Sequence, residues 1–533
     1  MSKKIEIFLL LLLFSYALYC TFITGSFWDE NFEIRIGKER LKYLFSFGSY
    51  KDFDFYNSKF YPGFYNTLAV FFTKMFPINI EIEIWRLSHV IFSILSIFGI
   101  YKITSKLFNK NIGKIVFLLC FLHPIFFGHM IMNSKDTIVV FANVWSTYLI
   151  LQYFNNKNLP NKINQYIFLL GLTIGLGTGV RLPFLITLLP LFIYLILDIL
   201  FFNKIVNYKI SIKKVISHFS IVLFIAYFVT ISFWPQVHTN IFVEPFKLFV
   251  TQLKDDVFGV QWILFNNEIY DTKYLPNFYL IYNFFYKSPE YFVLSYVAFI
   301  FFIIINKPFF TKKINFFWNK IFLILLIFLF PLVYFIFIPY RVYDGLRLFL
   351  YVIPYSCIIP GLAIYYLLLN FKSLYNKILS LILGTLFIYY FYFFVSLAPY
   401  QYTYLNSFIG SFNLAHKKFE NDYFSISVKE LINKIPNKPN LISEKKIGIA
   451  FCGVSHTSAR KELDSLKNFK YEIKNIQDND FDYVIMTNRA VGLRENNTIE
   501  NAKSCFDRFS NKDILNVKRL GLTLSALRKR IQD

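Results

Sequence analysis

The chain has 533 residues, of which 56% are hydrophobic, 21% aromatic and only 17% charged. Soluble proteins carry charge on about a quarter of their residues, so a water-soluble, single-core enzyme is excluded. The net charge of +23 would suggest nucleic acid in a soluble protein, but here Lys lies mainly in short loops between apolar blocks, the pattern of positive-inside topology.

The blocks run for about 17 to 22 residues without charge, enough to cross about 30 Å of hydrocarbon at 1.5 Å per residue. The first, Ile5 to Ile23, follows a basic start. Tyr19 before Cys20 fits a cleavage or lipidation site poorly, so the block reads as an uncleaved span with its basic end in the cytoplasm. Further spans are expected at 83–105, 114–130, 136–154, 165–181, 184–202, 215–235, 289–306, 321–339, 348–369 and 378–398, eleven in all. The loops 106–114, 155–164, 203–214, 307–320 and 370–377 each carry Lys and fall on the cytoplasmic side.

The same alternation puts 24–82, 236–288 and everything after about 399 outside. The expected organisation is a membrane domain over 1–398 and an external region over 399–533. Within that region an amphipathic stretch at Ser427–Ile435, apolar runs at Ile447–Phe451 and Tyr483–Met486, and a helix near Ile499–Phe509 suggest a small α/β domain. The predicted fold is thus an α-helical polytopic membrane protein with a small C-terminal α/β domain. Cys20, Cys120 and Cys357 fall inside apolar blocks, while Cys452 and Cys505 share the external domain, where a disulfide is compatible with the compartment. The aromatic excess, 68 Phe and 38 Tyr, reads as packing and bilayer-facing bulk.

The spans are nearly free of mid-membrane charge, and polar residues gather at their outer ends. Asp29-Glu30 lies just beyond the first span; Asp29 reads either as a general base at the interface or as a helix start favoured by the dipole. His123-Pro124, His129 and Asn133-Ser134-Lys135-Asp136 occupy an outer turn between two spans. They pair a cation with a carboxylate at lipid-phosphate level, or else combine a snorkelling Lys with a helix cap. Arg181, and Arg341 and Arg347 in Tyr340-Arg341-Val342-Tyr343-Asp344-Gly345-Leu346-Arg347, suit a phosphate through the guanidinium fork, with interfacial anchoring the alternative.

With these residues the chain resembles the GT-C superfamily of polytopic glycosyltransferases, and within it the protein O-mannosyltransferase and aminoarabinose-transferase type. The resemblance rests on Asp29-Glu30, Tyr61-Pro62, the Asn133–Asp136 turn and Gly179-Val180-Arg181. It is similar to a bacterial branch with Tyr343-Asp344-Gly345-x-Arg347, Phe349-Leu350-Tyr351-x-x-Pro354, Pro399-Tyr400-Gln401-Tyr402-x-Tyr404-x-Asn406 and Asp422-Tyr423. Leu348 stands where a His is expected, and Phe424 where a Trp is expected.

The resemblance implies transfer of a sugar from a polyprenyl-phosphate-linked donor to a glycan, lipid or protein acceptor, on the outer face of a bacterial inner membrane, with inversion. Asp29, Glu30 and Asp136 are then the candidate catalytic residues, and Lys135, Arg181, Arg341 and Arg347 the donor-phosphate ligands. His129, Tyr343 and Asp344 are further candidates. A divalent metal is compatible with this chemistry, although no ligand spacing demands one. A lipid-linked glycan polymerase or ligase is the alternative from the same compartment. A secondary transporter would show inverted repeats and mid-bilayer polar sites.

Overall fold

The computed structural model describes residues 3–155, 160–206, 211–254, 259–438, 446–466, 469–478, 480–492 and 498–530. Parts of the expected Lys-bearing loops 155–164 and 203–214 therefore lie outside the described residues. Among the described residues ten helices are long and apolar enough to cross a membrane, and eleven spans result if one bent pair is counted as one.

That pair is α5 (Lys110–Phe121) and α6 (Pro124–Met130), which meet at 69°. The bend corrects the expected straight span over 114–130. Proline at the first position of α6 cannot continue the preceding helix and suits a new start. The consequence is positional: α6 is buried throughout and turns His129 and the following turn into the protein.

Six other helices frame the site. α1 (Lys3–Ile23) is the first span. α2 (Glu30–Phe45) is an amphipathic helix in the segment between the first two long apolar helices, and α3 (Phe64–Thr73) packs against it. Gly37 permits that packing, since a Cβ there would sit 2.4 Å from the Asn66 carbonyl oxygen. α4 begins at Glu81 and ends at Leu107, and its first turns receive the far side of α2. α7 (Asp136–Asn155) and α8 (Pro160–Val180) are neighbouring spans. Span Arg347–Leu369 does not begin as a regular helix but as a buried 3-10 segment, Arg347–Val352, packed against α7. Asp344 (φ +57°) and Gly345 (φ +66°) turn the chain into it through left-handed conformations.

The long segment 236–288 contributes a hairpin, β1 (Trp262–Phe265) and β2 (Glu268–Asp271). The C-terminal domain is a five-stranded mixed sheet built from β3 (Ile447–Cys452), β4 (Tyr471–Ile473), β5 (Tyr483–Thr487), β8 (Asp513–Arg519) and β9 (Leu522–Lys529). Its order is β4-β3-β5-β9-β8, with β3 parallel to β4 and β5 and the other pairs antiparallel. Between β5 and β8 the short β6 (Ala490–Val491) pairs with β7 (Lys503–Ser504).

The apolar runs at Ile447 and Tyr483 thus become central strands, as their patterning predicts. The helix expected near Ile499–Phe509 does not form. That stretch is a 3-10 turn at Ile499–Asn501, strand β7, and four helical residues, Cys505–Arg508. Cys452 and Cys505 are joined by a disulfide that ties this irregular segment to the end of β3. Cys20, Cys120 and Cys357 are free and buried. One continuous apolar core runs from the spans through Tyr400–Ile435 into the sheet, so the C-terminal domain rests directly on the membrane part.

Candidate active site

Asp29 holds the N-cap position of α2, yet its carboxylate makes no cap hydrogen bond. It points instead into the protein, where Oδ2 lies 2.5 Å from Arg347 Nη2 and 3.4 Å from Lys135 Nζ. Its side chain keeps 23% of its surface exposed, whereas those of Lys135 and Arg347 keep 6% and 5%. Asp29 is therefore the member of this group that a substrate can reach. Burial opposes its charge, but Lys135 and Arg347 outweigh burial and hold its carboxyl well below the usual range.

Glu30 turns the other way. Its two oxygens take Arg86 Nε and Nη2 at 2.7 and 2.9 Å in a buried bidentate pair that locks α2 onto α4. Of the predicted acidic pair, Asp29 faces the cluster and Glu30 serves this lock. The residue that shares the Asp29 face is Glu33, one helical turn on, whose carboxylate is 3.1 Å from Lys135 Nζ and accepts a hydrogen bond from the Ser134 hydroxyl. Burial pushes Glu33 up to about 7, Lys135 pulling it down and Asp29 pushing it up.

A carboxyl raised in the folded state binds more protons than in the unfolded chain, so it lowers stability as pH rises between the two values. Thermal stability in detergent is thus expected to fall from about pH 5 to pH 7.5, from the ordinary carboxyl range through the value of about 7. Glu33→Gln should flatten that slope; an unchanged slope in the variant would show that Glu33 is not its source.

The Asn133–Asp136 turn is organised by Asn133, whose Oδ1 accepts the backbone N–H of both Lys135 and Asp136 at 3.1 Å. These bonds fix the amide orientation: Nδ2 donates to Asp136 Oδ2 at 2.8 Å and bonds His129 Nδ1 at 2.9 Å. His129 Nε2 then meets the Tyr423 hydroxyl at 2.9 Å. Asn133 is the capping residue, which leaves the Asp136 carboxylate for two arginines. Arg181, at the end of α8, places Nε and Nη2 2.8 and 2.6 Å from Oδ1, and Arg347 Nε lies 2.9 Å from Oδ2.

Arg347 binds a third carboxylate, Asp344, at 2.9 Å, and its guanidinium lies 4.5 Å over Phe424 and 5.6 Å from the Tyr343 ring. Asp344 also takes Arg489 of the C-terminal domain at 3.3 Å. The cluster thus pairs four acids (Asp29, Glu33, Asp136, Asp344) with four bases (Lys135, Arg181, Arg347, Arg489). With Glu33 protonated it carries one excess positive charge. Lys135 also lies 4.7 Å over the Tyr61 ring, which brings the Tyr61-Pro62 turn to the same place.

Arg341 does not join. The left-handed turn at Asp344-Gly345 sends it away from the cluster to the segment 236–288, where it meets Asp271 at 3.9 Å and the Gly259 carbonyl. No group of three or more metal-ligating side chains occurs among the described residues. Glu33 and Arg489 were not anticipated from sequence. The four-residue spacing from Asp29 could have found Glu33; nothing local marks Arg489.

Residues 62–234 match the protein family described as dolichyl-phosphate-mannose-protein mannosyltransferase. Among solved structures, ArnT from Cupriavidus metallidurans bound to undecaprenyl phosphate aligns over 99% of this chain and 98% of its own at 9% identity, with a TM-score of 0.52. The apo form of the same protein aligns over 98% of each chain at 10% identity, with a TM-score of 0.49. The apo oligosaccharyltransferase of Archaeoglobus fulgidus aligns over 90% of this chain and 69% of its own at 12% identity and a TM-score of 0.49. No curated protein matches the chain significantly in sequence. By its apolar spans, its C-terminal sheet domain and the likeness to the undecaprenyl-phosphate-bound ArnT structure, the chain is an integral membrane protein with an ArnT-like fold, and over residues 62–234 it is similar to the mannosyltransferase family.

Proposed function

We propose that the protein is a membrane glycosyltransferase that moves a hexose or pentose from a polyprenyl-phosphate-linked donor to an acceptor hydroxyl on the outer face of the membrane, with inversion. The observation that carries this reading is Asp29 itself, a partly exposed carboxylate held between Lys135 and Arg347 where the span ends meet the external domain. The undecaprenyl phosphate in the ArnT structure and the mannosyl-phosphate family match support a lipid-phosphate donor.

In the proposed step the acceptor oxygen attacks the anomeric carbon as Asp29 takes its proton. The bond from that carbon to the phosphate oxygen breaks, and polyprenyl phosphate leaves with the electron pair. A free Asp29 so strongly paired is a weak base. An arriving phosphodiester competes for Lys135 and Arg347, withdraws them from Asp29 and so raises its basicity at the moment of use. The same cations then meet the charge that develops on the leaving phosphate. Arg181 and Arg347, both on Asp136, are fixed in place for this role before the donor binds. The proposed setting is a bacterial inner membrane with the N-terminus cytoplasmic and the external domain on the far side.

The reading is tested by incubating membranes containing the protein with a panel of labelled undecaprenyl-phosphate sugars. Label should pass from one donor into a second product, absent from membranes that lack the protein. Label retained in every donor would reject the reading.

A further inference from the structure

We propose that Arg489 and Trp28 form the acceptor side of the site and receive a sugar ring, so that the acceptor is a glycan. This rests on the glycosyltransferase reading above and assigns its second substrate.

Arg489 is delivered from the external domain by an unusually well-tied loop. Thr487 Oγ1 donates to the Gly453 carbonyl at 2.7 Å, and Asn488 Nδ2 donates to the carbonyls of His416 and Phe419 at 2.8 and 2.6 Å. The Asn421 N–H returns a bond to Asn488 Oδ1 at 3.0 Å, and the Ala490 N–H donates to Glu420 Oε1 at 2.8 Å. Beneath the loop the Cys505 N–H donates to the Arg489 carbonyl at 3.0 Å, next to the Cys452–Cys505 disulfide. Gly453 lies between them with φ +63°, and a Cβ there would sit 2.7 Å from Arg489 Cβ and 3.2 Å from Cys505 Sγ. Each residue from Thr487 to Ala490 is fixed, and the group so presented is a guanidinium with 17% of its side chain exposed.

That guanidinium donates to the Tyr423 carbonyl at 2.5 Å, reaches Asp344 at 3.3 Å and lies 4.9 Å over the ring of Trp28. Trp28 directly precedes Asp29 and keeps 36% of its surface open. Lys135, Tyr61 and Arg181 lie on the α7–α8 side, among the spans to which a lipid tail would confine the donor phosphate. Arg489 belongs to the C-terminal sheet domain and Trp28 lies against that domain, its carbonyl 3.5 Å from the Ser455 hydroxyl, so a water-borne acceptor would enter on this side. An indole offers an apolar face to the C–H face of a sugar, and a guanidinium fork offers directed donors to its hydroxyls. Because Asp344 is shared between Arg489 and Arg347, an acceptor held there is registered to the group that holds Asp29.

The test uses the full-length protein in detergent, a fixed labelled undecaprenyl-phosphate hexose, and two acceptor probes: uncharged methyl glycosides and a Ser/Thr-containing peptide. Wild type is expected to transfer to a methyl glycoside and not to the peptide. Arg489→Ala should raise the KM for the glycoside tenfold or more while the donor KM stays within about twofold, and Arg489→Lys should fall between. Should Arg489→Ala not fold, Arg489→Lys and Trp28→Phe are read by the same split. Transfer to the peptide, or a rise in donor KM in place of acceptor KM, overturns the assignment and leaves the glycosyltransferase reading standing. A wild-type protein that transfers label to neither probe, and in membranes passes none from any donor of the panel above, overturns both.

Discussion

Asp29→Asn is expected to lower kcat for sugar transfer by about 10²–10⁴ while the protein remains folded. The substitution keeps the side chain's shape and removes both its charge and its ability to take a proton. The remaining network can absorb the loss. Lys135 retains Glu33 at 3.1 Å, and Arg347 retains Asp136 and Asp344, each at 2.9 Å. Donor binding should therefore survive, and thermal unfolding of the variant should stay close to that of wild type. Turnover within about tenfold of wild type in a folded variant would remove Asp29 from the role of base.

Arg347→Ala is expected to act on the fold as well as on activity. This one buried side chain holds Asp29, Asp136 and Asp344, from the N-cap of α2, the start of α7 and the left-handed turn. Without it Asp29 keeps Lys135 at 3.4 Å, Asp136 keeps Arg181 and Asp344 keeps Arg489 at 3.3 Å, so three carboxylates share what remains. Breaking a buried pair by removing one partner costs about 3–5 kcal/mol, which unfolding in detergent would show as a clear drop in melting temperature. Arg347→Lys should recover little, because an ammonium cannot bind three carboxylates through separate, fixed donors. An Arg347→Ala protein with wild-type stability would mean that the network is dispensable to the fold.

The parts of this arrangement that depend on local pattern were legible in the sequence. Uncharged blocks of bilayer length mark the spans, and the polar residues left at their outer ends include Asp29, Lys135, Asp136, Arg181, Asp344 and Arg347, all of which the fold brings together. What was not legible depends on backbone direction or on distant partners. Arg341 and Arg347 look alike six residues apart, but the turn between them sends one outward to Asp271 and the other into the cluster. Glu30 and Glu33 differ by rotation about the helix axis: Glu33 is a full turn from Asp29 and shares its face, while Glu30 faces Arg86 on α4.

Proline 124 could have announced the bend after α5, since a proline within an apolar block breaks the helix unless its neighbours compensate. Residues 499–509 have a helix-like apolar spacing, but the disulfide at Cys505 and the pairing of Lys503 and Ser504 with β6 override it. The Cys452–Cys505 pairing was left open by spacing alone and is formed. Arg489 reaches Asp344 across a separation of well over a hundred residues, set by the sheet and its disulfide. No spacing in the sequence encodes that meeting.

The proposed reaction is a single displacement at the anomeric carbon, in which Asp29 takes the acceptor's proton and the lipid phosphate leaves. Its most direct test is the anomeric configuration of the product formed by the purified protein from an undecaprenyl-phosphate sugar of known configuration, read by NMR coupling constants together with the amount of undecaprenyl phosphate released. The predicted result is a product of opposite configuration with one undecaprenyl phosphate released per transfer. A product that retains the donor's configuration, or donor that releases no undecaprenyl phosphate, would contradict it.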